Sequence, residues 1–295
     1  MGHALAVAER SNARSGALPG DQIGAEDFER LASLVTRETG IKLPASKRLM
    51  IEGRLRKRMR ACNKPDLHAY CRYLFDQGGI EAEMIHLIDV VTTNKTDFFR
   101  ENEHLQFLES RMVPELLQRG SNGRLLKVWS AASSNGAEAW SIAMVLEDML
   151  RQRRDFRYAI LGTDISTVVL EQARRAIYPV EAMAPVPTDK RQRYVMEARG
   201  NDLRGEVRIV PELRRRARFD RMNLMDERYP YDRDVDVIFL RNVLIYFDKN
   251  DQAAVVSRLV GHLRPGGYLV VGHSESMVVQ QANVRPAGPT IFQKG

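Results

Sequence analysis

The stretch Val128–Trp140, "VWSAASSNGAEAW", decides how this chain is read. A short apolar run ends in small residues, passes one glycine, and restarts with an acid and an aromatic. Seven consecutive residues of little bulk, Ala131 to Ala137, mark a passage from strand to helix. Two readings are open: a tight connection, or a place where a ligand lies against the backbone. Small side chains permit close approach, and the helix start offers unpaired N–H groups. The stretch is not G-x-G-x-x-G, because Gly136 stands alone. A dinucleotide pyrophosphate calls for more glycine and no nearby carboxylate, yet Glu138 sits at the helix start. An acid there repels phosphate and suits a ligand carrying ammonium or sulfonium charge, although it is also an ordinary first-turn residue favoured by the helix dipole.

Working outward, the chain after this point alternates. Strands are expected at Leu125–Ser130, Tyr158–Thr163, Val235–Leu240 and Tyr268–Val271, with helices at Glu138–Arg153, Val168–Arg175 and Asp251–Leu263. That rhythm means α/β: a mainly parallel sheet with helices on both faces. Residues 179–215 break it, being proline-punctuated, highly charged and weakly periodic, as an inserted subdomain would be. Before residue 92 the pattern is helical throughout. "EDFERLASLVTRETG" sets Phe28, Leu31, Leu34 and Val35 on one face, with Gly40 as a stop. "SKRLMIEGRLRKRMRAC" is a second helix, carrying seven basic residues between Lys47 and Arg60 against one acid, Glu52. "DLHAYCRYLFDQGG" and "IEAEMIHLIDVVT" give a third and fourth, and "EHLQFLESRMVPELLQRG" a further one. The expected organisation is therefore a disordered lead-in at 1–22, a helical domain at 23–91, a linker at 92–104 and an α/β domain at 105–295 with an insert near 180–215.

The totals bound the function. An apolar fraction of 44% over 295 residues supports a large core. Two cysteines, Cys62 and Cys71, both in the helical part, make neither a disulfide scaffold nor a four-ligand metal site. No signal-peptide core, myristoylation pattern or apolar run of about 18 residues occurs, so a cytoplasmic protein without a membrane span is expected. A net charge of +7 favours an acidic partner without choosing among nucleic acid, membrane surface and protein.

In an open parallel sheet, ligands bind beyond the carboxyl ends of the strands. The second strand ends in "LGTDIS", where Asp164 can accept hydrogen bonds from both ribose hydroxyls, or simply cap a helix. Ribose without pyrophosphate, beside positive charge, describes S-adenosylmethionine. The third strand runs through "VIFLRNVLIYF" into Arg241 and Asn242, followed by Tyr246 and Phe247. The linker "VVTTNKTDFFRENEHL" places polar Asn94, Thr96 and Arg100 around the Phe98–Phe99 pair. "HLRPGGYLVVGHSES" reads as a helix, a Pro-Gly-Gly turn and a late strand, with little chemistry of its own.

From about Phe28 to Phe292 the chain resembles the CheR family of chemotaxis receptor glutamate O-methyltransferases. The carriers are "TTNKTDFFRE", "VWSAASSNGAEAWSIAM", "TDISTVVLEQARRAIYP", "FLRNVLIYFDK" and "LRPGGYLVVGHSES". The resemblance implies a Rossmann-like S-adenosylmethionine-dependent methyltransferase sheet, an N-terminal all-helical domain and a small inserted β-subdomain. It implies donor contacts from Asn94, Thr96, Arg100, Glu138, Asp164, Asn223, Leu224, Arg241 and Asn242, catalytic roles for Arg100 and Tyr246, and no metal. Methyl transfer gives S-adenosylhomocysteine as product. The partners implied are the cytoplasmic domains of methyl-accepting receptors, with the basic helix 47–60 as a docking face and the 180–215 insert holding a receptor C-terminal peptide. The chain departs from the family where the usual Ser-Thr-Gly-Glu-Glu-Pro-Tyr becomes Ser134-Asn135-Gly136-Ala137-Glu138-Ala139-Trp140, and where Leu240 replaces a common cysteine.

A glutamate carboxylate, with a reference pKa of about 4.3, is already a nucleophile at neutral pH. Direct SN2 transfer then needs no general base, in keeping with motifs that contain no catalytic His or Cys. Two rivals stand beside this reading. A nucleic-acid methyltransferase fits the charge, but there is no Asn/Asp-Pro-Pro-aromatic motif, and no cysteine in the α/β part for cytosine chemistry. A non-catalytic module that binds the donor or its product fits the altered loop.

Overall fold

The computed structural model describes residues 22–92, 94–118, 124–198, 204–279 and 283–295. The expected lead-in lies outside these residues apart from Gln22. Four helices follow: α1 (Ala25–Thr39), α2 (Arg48–Ala61), α3 (Leu67–Asp76) and α4 (Ile80–Val91). In α1 the periodic residues Phe28, Leu31, Leu34 and Val35 are all buried, and Gly40 ends the helix in a left-handed conformation, donating its N–H to the Thr36 carbonyl. These helices enclose a core of their own around Leu31, Ile51, Leu55, Tyr70 and Leu87.

The basic helix α2 is less free than its composition suggests. Glu52 is fully buried and accepts from the Ile23 N–H and from Arg48. Arg54 donates to the carbonyls of Val90 and Thr92, and Arg58 makes two bonds to Glu83, which also accepts from the Tyr70 hydroxyl. Three of the seven cations thus hold the helical unit together, leaving Lys57 and Arg60 exposed.

The stretch expected as one helix after the linker is interrupted. It comprises α5 (Asn102–Phe107), a π-helical turn (Leu108–Met112) and α6 (Val113–Gln118). Pro114 has no N–H to donate to the preceding turn, and an inserted residue in the ladder accommodates that.

The remainder is the α/β part. Its elements are β1 (Arg124–Ala131), α7 (Ala137–Gln152), β2 (Phe156–Asp164), α8 (Thr167–Arg175), β3 (Ile177–Pro179), α9 (Thr188–Tyr194), β4 (Val195–Glu197), β5 (Glu206–Ile209), α10 (Pro211–Arg214), β6 (Ala217–Arg221), β7 (Val235–Leu240), α11 (Lys249–His262), β8 (Leu263–Val271), α12 (Ser276–Val279), β9 (Val284–Gly288) and β10 (Ile291–Lys294). Seven strands form one sheet in the order β6-β2-β1-β7-β8-β10-β9, while β3-β5-β4 form a separate antiparallel sheet. The fold is therefore the expected α/β sheet with a helical N-terminal unit and a small inserted β-subdomain. Strands from β6 to β8 pair in parallel, and β10 pairs antiparallel with β8 and β9. Every residue of β7 is buried, as a strand covered on both faces requires. Alternation along β1 sends Val128 into the core under α7 and Trp129 into the core under α11.

Three strands of the seven-stranded sheet escaped the sequence pattern, as did the individual strands β3, β4 and β5 of the insert. β6 reads "ARFDR" and β9 reads "VRPAG"; both are edges of the sheet, where charge and proline are tolerated because one side of the ladder is unpaired. β10, the third, lies beside β9. The expected Pro-Gly-Gly turn is also corrected. β8 starts at Leu263 and passes through Pro265-Gly266-Gly267, because Leu263 already pairs with Val235 across a register irregularity.

Candidate functional site

Sheet order reverses between β1 and β7, and the crevice opens there at the carboxyl ends of the strands. Ala131 is in register with Leu240, so the quoted loop and Arg241 leave the sheet side by side. One cleft of about 980 Å³, solvent mouth included, lies over this point. Its walls bring together Asn94, Thr96, Arg100, Glu138, Asp164, Asn223, Leu224, Arg241, Asn242 and Tyr246, although they come from five separate segments of the chain.

The small-residue loop is tightly wound. Ala132, Ser134 and Gly136 all have positive φ, at 61°, 50° and 87°. Alternate left-handed residues cost roughly 1 kcal/mol each for non-glycine and persist where the surroundings hold them. The holding bonds are visible: Ser133 N–H donates to the Thr163 carbonyl and Ser134 N–H to Asp164 Oδ2, both at 2.8 Å. Gly136 cannot carry a side chain, since a Cβ would stand 2.9 Å from that of Ala173 and 3.0 Å from Trp140 Nε1. Asp164 accepts a second backbone bond, from Ser166 N–H at 3.0 Å. Burial pushes its carboxyl above the ordinary aspartate value, and the backbone N–H groups around it oppose that shift.

Glu138 is not an idle first-turn acid. Its Oε1 accepts from the Ser130 hydroxyl and its Oε2 from Arg241 Nε, each at 2.6 Å, in a site where both charged side chains are buried. Arg241 also donates through Nη1 to the Arg100 carbonyl at 2.7 Å and to His104 Nδ1 at 3.2 Å, and Glu101 Oε2 lies 3.5 Å away. His104, whose Nε2 contacts the Thr290 hydroxyl, is held neutral near pKa 4, chiefly by burial and then by Arg241. Glu101, His104 and His273 converge closely enough to suggest a cation site among the described residues, but the Arg241 guanidinium already faces that point.

Other expected residues are held in place by the chain itself. Asn242 sits at φ 58° with its amide on Glu101 Oε1, and Asn223 uses its amide to donate to the Glu38 carbonyl at the end of α1. Asn94 donates to the Thr92 hydroxyl and accepts, through its carbonyl, from Ser134. Arg100 makes only a long bond to the Lys95 carbonyl, at 3.3 Å, and no ion pair among the described residues. Tyr246 carries Lys47 Nζ 5.5 Å above its ring, and its carbonyl accepts from Lys42 N–H.

Sequence reasoning passed over Lys47, Ser133, Ser134, Glu101, His104 and Glu275. Lys47 reaches the cleft from the helical unit, Ser133 and Ser134 from the loop, and Glu101 and His104 border Arg241. Each lies in a stretch already singled out, Ser133 and Ser134 in the quoted loop, Glu101 and His104 in the linker, Glu275 after the late strand and Lys47 at the start of the basic helix, but only tertiary packing shows what their side chains meet.

Comparison with known proteins supplies an independent line. A model described as "CheR methyltransferase, SAM binding domain" matches residues 94–291, and one described as "CheR methyltransferase, all-alpha domain" matches 26–92. The chain is 37% identical over 267 residues to the chemotaxis protein methyltransferase of Salmonella typhimurium, covering 90% of this chain and 88% of that protein. It is 36% identical over 267 residues to chemotaxis protein methyltransferase 2 of Pseudomonas aeruginosa, covering 90% and 92% respectively. With the chemotaxis protein methyltransferase of Borreliella burgdorferi, identity is 34% over 256 residues, covering 85% and 88%.

Proposed function

The chain belongs to the CheR methyltransferase family, and we propose that it transfers a methyl group from S-adenosylmethionine to glutamate side chains of chemotaxis receptors, giving methyl esters. The observation that carries this reading is the cleft walled by acids and small residues at the sheet's switch point. Its chemistry suits the donor. Glu138 and Asp164 offer buried carboxylate oxygens to an ammonium group and to ribose hydroxyls, and the Ser133 hydroxyl is buried there without a hydrogen-bond partner among the described residues. Asn94, Thr96, Arg100, Asn223, Leu224, Arg241 and Asn242 complete the walls. When bound, S-adenosylmethionine supplies an electrophilic methyl on a sulfonium.

Everything else falls to the chain. The acceptor carboxylate is already anionic at neutral pH, so no residue needs to remove a proton. Arg100 holds a carboxylate in its planar fork, and the Tyr246 hydroxyl orients the acceptor. Bringing opposite charges together loses their hydration, so alignment in a closed cleft is the main contribution, worth roughly 7–11 kcal/mol. The helical unit closes the cleft: Asn223 ties to Glu38, Lys42 to Tyr246, and Thr167 to Asp89 of α4. We read 23–91 as the docking unit, 92–104 as the linker that lends residues to the site, and 105–295 as the transferring unit. Receptor docking then uses the free cations Lys57 and Arg60 with Lys47 at the cleft, and the β3-β5-β4 subdomain receives a receptor peptide.

No helix among the described residues is long and apolar enough to cross a membrane. The deciding experiment is incubation with labelled donor and membranes bearing the native receptors, with DNA and RNA in parallel. Base-labile label on receptor protein is expected. Label on nucleic acid instead, or donor binding without turnover on any receptor, overturns the proposal.

A further inference from the structure

The loop from Asn242 to Tyr246 carries cleft residues. Its second half is a 3-10 turn, Leu244–Tyr246, and Gln252 donates to the carbonyls of Leu244 and Phe247. The N–H groups of Asn242 and Leu244 are anchored from the turn after β8. Glu275 is 1% exposed and lies in the turn after β8. Its Oε2 accepts from Asn242 N–H and from Gly272 N–H, and its Oε1 accepts from Leu244 N–H, all at 2.8 Å. It forms no ion pair among the described residues. A buried carboxylate without a cation is costly unless its oxygens are filled by donors. Here three backbone donors fill them, and two belong to the loop that carries Asn242 and Tyr246.

Gly272 makes the approach possible. A Cβ at that position would stand 2.7 Å from Asn242 Nδ2 and Glu275 Oε2 and 3.0 Å from the Asn242 nitrogen. Asn242 itself is left-handed, a conformation that needs support from its surroundings. A cap for the short turn at 273–275 needs only the bond to Gly272. The bonds to residues 242 and 244 go beyond capping.

We propose that Glu275 is a positioning residue for methyl transfer: its carboxylate sets the Asn242–Tyr246 loop, and through it the donor contact of Asn242 and the aim of Tyr246. The turnover half of this inference rests on the proposed receptor reaction, while the affinity half does not.

The test compares wild type with Glu275→Gln and Glu275→Asp, reading S-adenosylhomocysteine affinity by calorimetry on the free chain and kcat and KM on receptor membranes. An amide turns an N–H toward a backbone N–H, so in Glu275→Gln affinity and kcat should each fall by about tenfold or more, with receptor KM unchanged. Glu275→Asp keeps the charge at shorter reach and should recover part of the loss. If Glu275→Gln does not fold, Gly272→Ala decides. It retains the carboxylate, suits the native φ of −68°, and should show the same split by forcing the two loops apart. Wild-type affinity in a folded variant, or a change confined to receptor KM, overturns the assignment. A wild-type chain that binds no S-adenosylhomocysteine overturns the proposed function instead.

Discussion

The Arg241–Glu138 pair makes the sharpest energetic prediction. At 2.6 Å, two unit charges attract by about 6 kcal/mol at an effective dielectric of about 20. Desolvation offsets much of this, and removing one partner of a buried pair typically costs about 3–5 kcal/mol, because the survivor is left charged and unmatched. In Glu138→Gln, Arg241 retains Glu101 at 3.5 Å and the Arg100 carbonyl, so the low end, about 3 kcal/mol, is expected. In Arg241→Met, Glu138 retains only the Ser130 hydroxyl and a similar loss follows. The double variant removes both charges and should lose about 3 kcal/mol rather than about 6, a coupling of about 3 kcal/mol. Both tryptophans, Trp129 and Trp140, are buried in the α/β part, so their fluorescence during urea unfolding reports this half of the molecule. Additivity of the two single variants within about 0.5 kcal/mol would refute the reasoning, since it would mean that the two charges do not sense one another.

Asp164 should give donor binding an acid limb. Its carboxyl is raised above the ordinary value by burial, and the protonated form loses acceptor capacity, so S-adenosylhomocysteine affinity should weaken as pH falls through that raised value. Calorimetry across pH should show the limb in wild type and a weak, flat response in Asp164→Asn. Glu83 makes a stability prediction of the opposite kind. Bonds from Arg58 and Tyr70 outweigh the burial that pushes its carboxyl up, and hold it below the ordinary glutamate value. Its stabilisation is therefore present above the unfolded carboxylate pKa and lost as pH falls through the folded one. Glu83→Ala should cost the helical unit about 3 kcal/mol at neutral pH by far-ultraviolet circular dichroism, with the gap closing in acid. Arg100→Ala should lower receptor kcat/KM by about 10–150-fold, the value of a charged hydrogen bond, and Tyr246→Phe by less, with unchanged unfolding midpoints; near-normal rates in both would remove their assigned roles.

Much of the fold was legible because its central strands are buried on both faces. β7 was readable to the residue, since five of its six residues are apolar, including β-branched Val235, Val237 and Ile238, and the run is too short for a helix of ordinary length. The edges were not, because β6 and β9 face solvent or a single neighbour and carry little pattern. Two acids illustrate the same limit at the site. Asp164 could be read from its place after β2, where local sequence and strand end coincide. Glu275 could not, because its importance lies in backbone groups some thirty residues away that only the packing of two crossovers brings near. The cations of α2 mislead in the same manner: composition counts seven, and only contacts show that Arg48, Arg54 and Arg58 are engaged inside the unit.

The cleft residues divide by whether the chain already satisfies them. Glu138, Asp164, Arg241, Asn242 and Asn223 are each held by bonds from elsewhere in the molecule, which fixes their positions before any ligand arrives. Arg100 and Tyr246 are different: the guanidinium has only a weak carbonyl bond and the phenol has no hydrogen-bond partner among the described residues. The proposed reaction, which neutralises two hydrated charges, would benefit from both classes. Fixed groups would present a rigid surface that need not reorganise as charge disappears, while unsatisfied groups would keep their hydrogen bonds for the proposed acceptor. This division explains why variants at the first class should lose stability or donor affinity, whereas variants at Arg100 and Tyr246 should lose turnover in an otherwise intact protein.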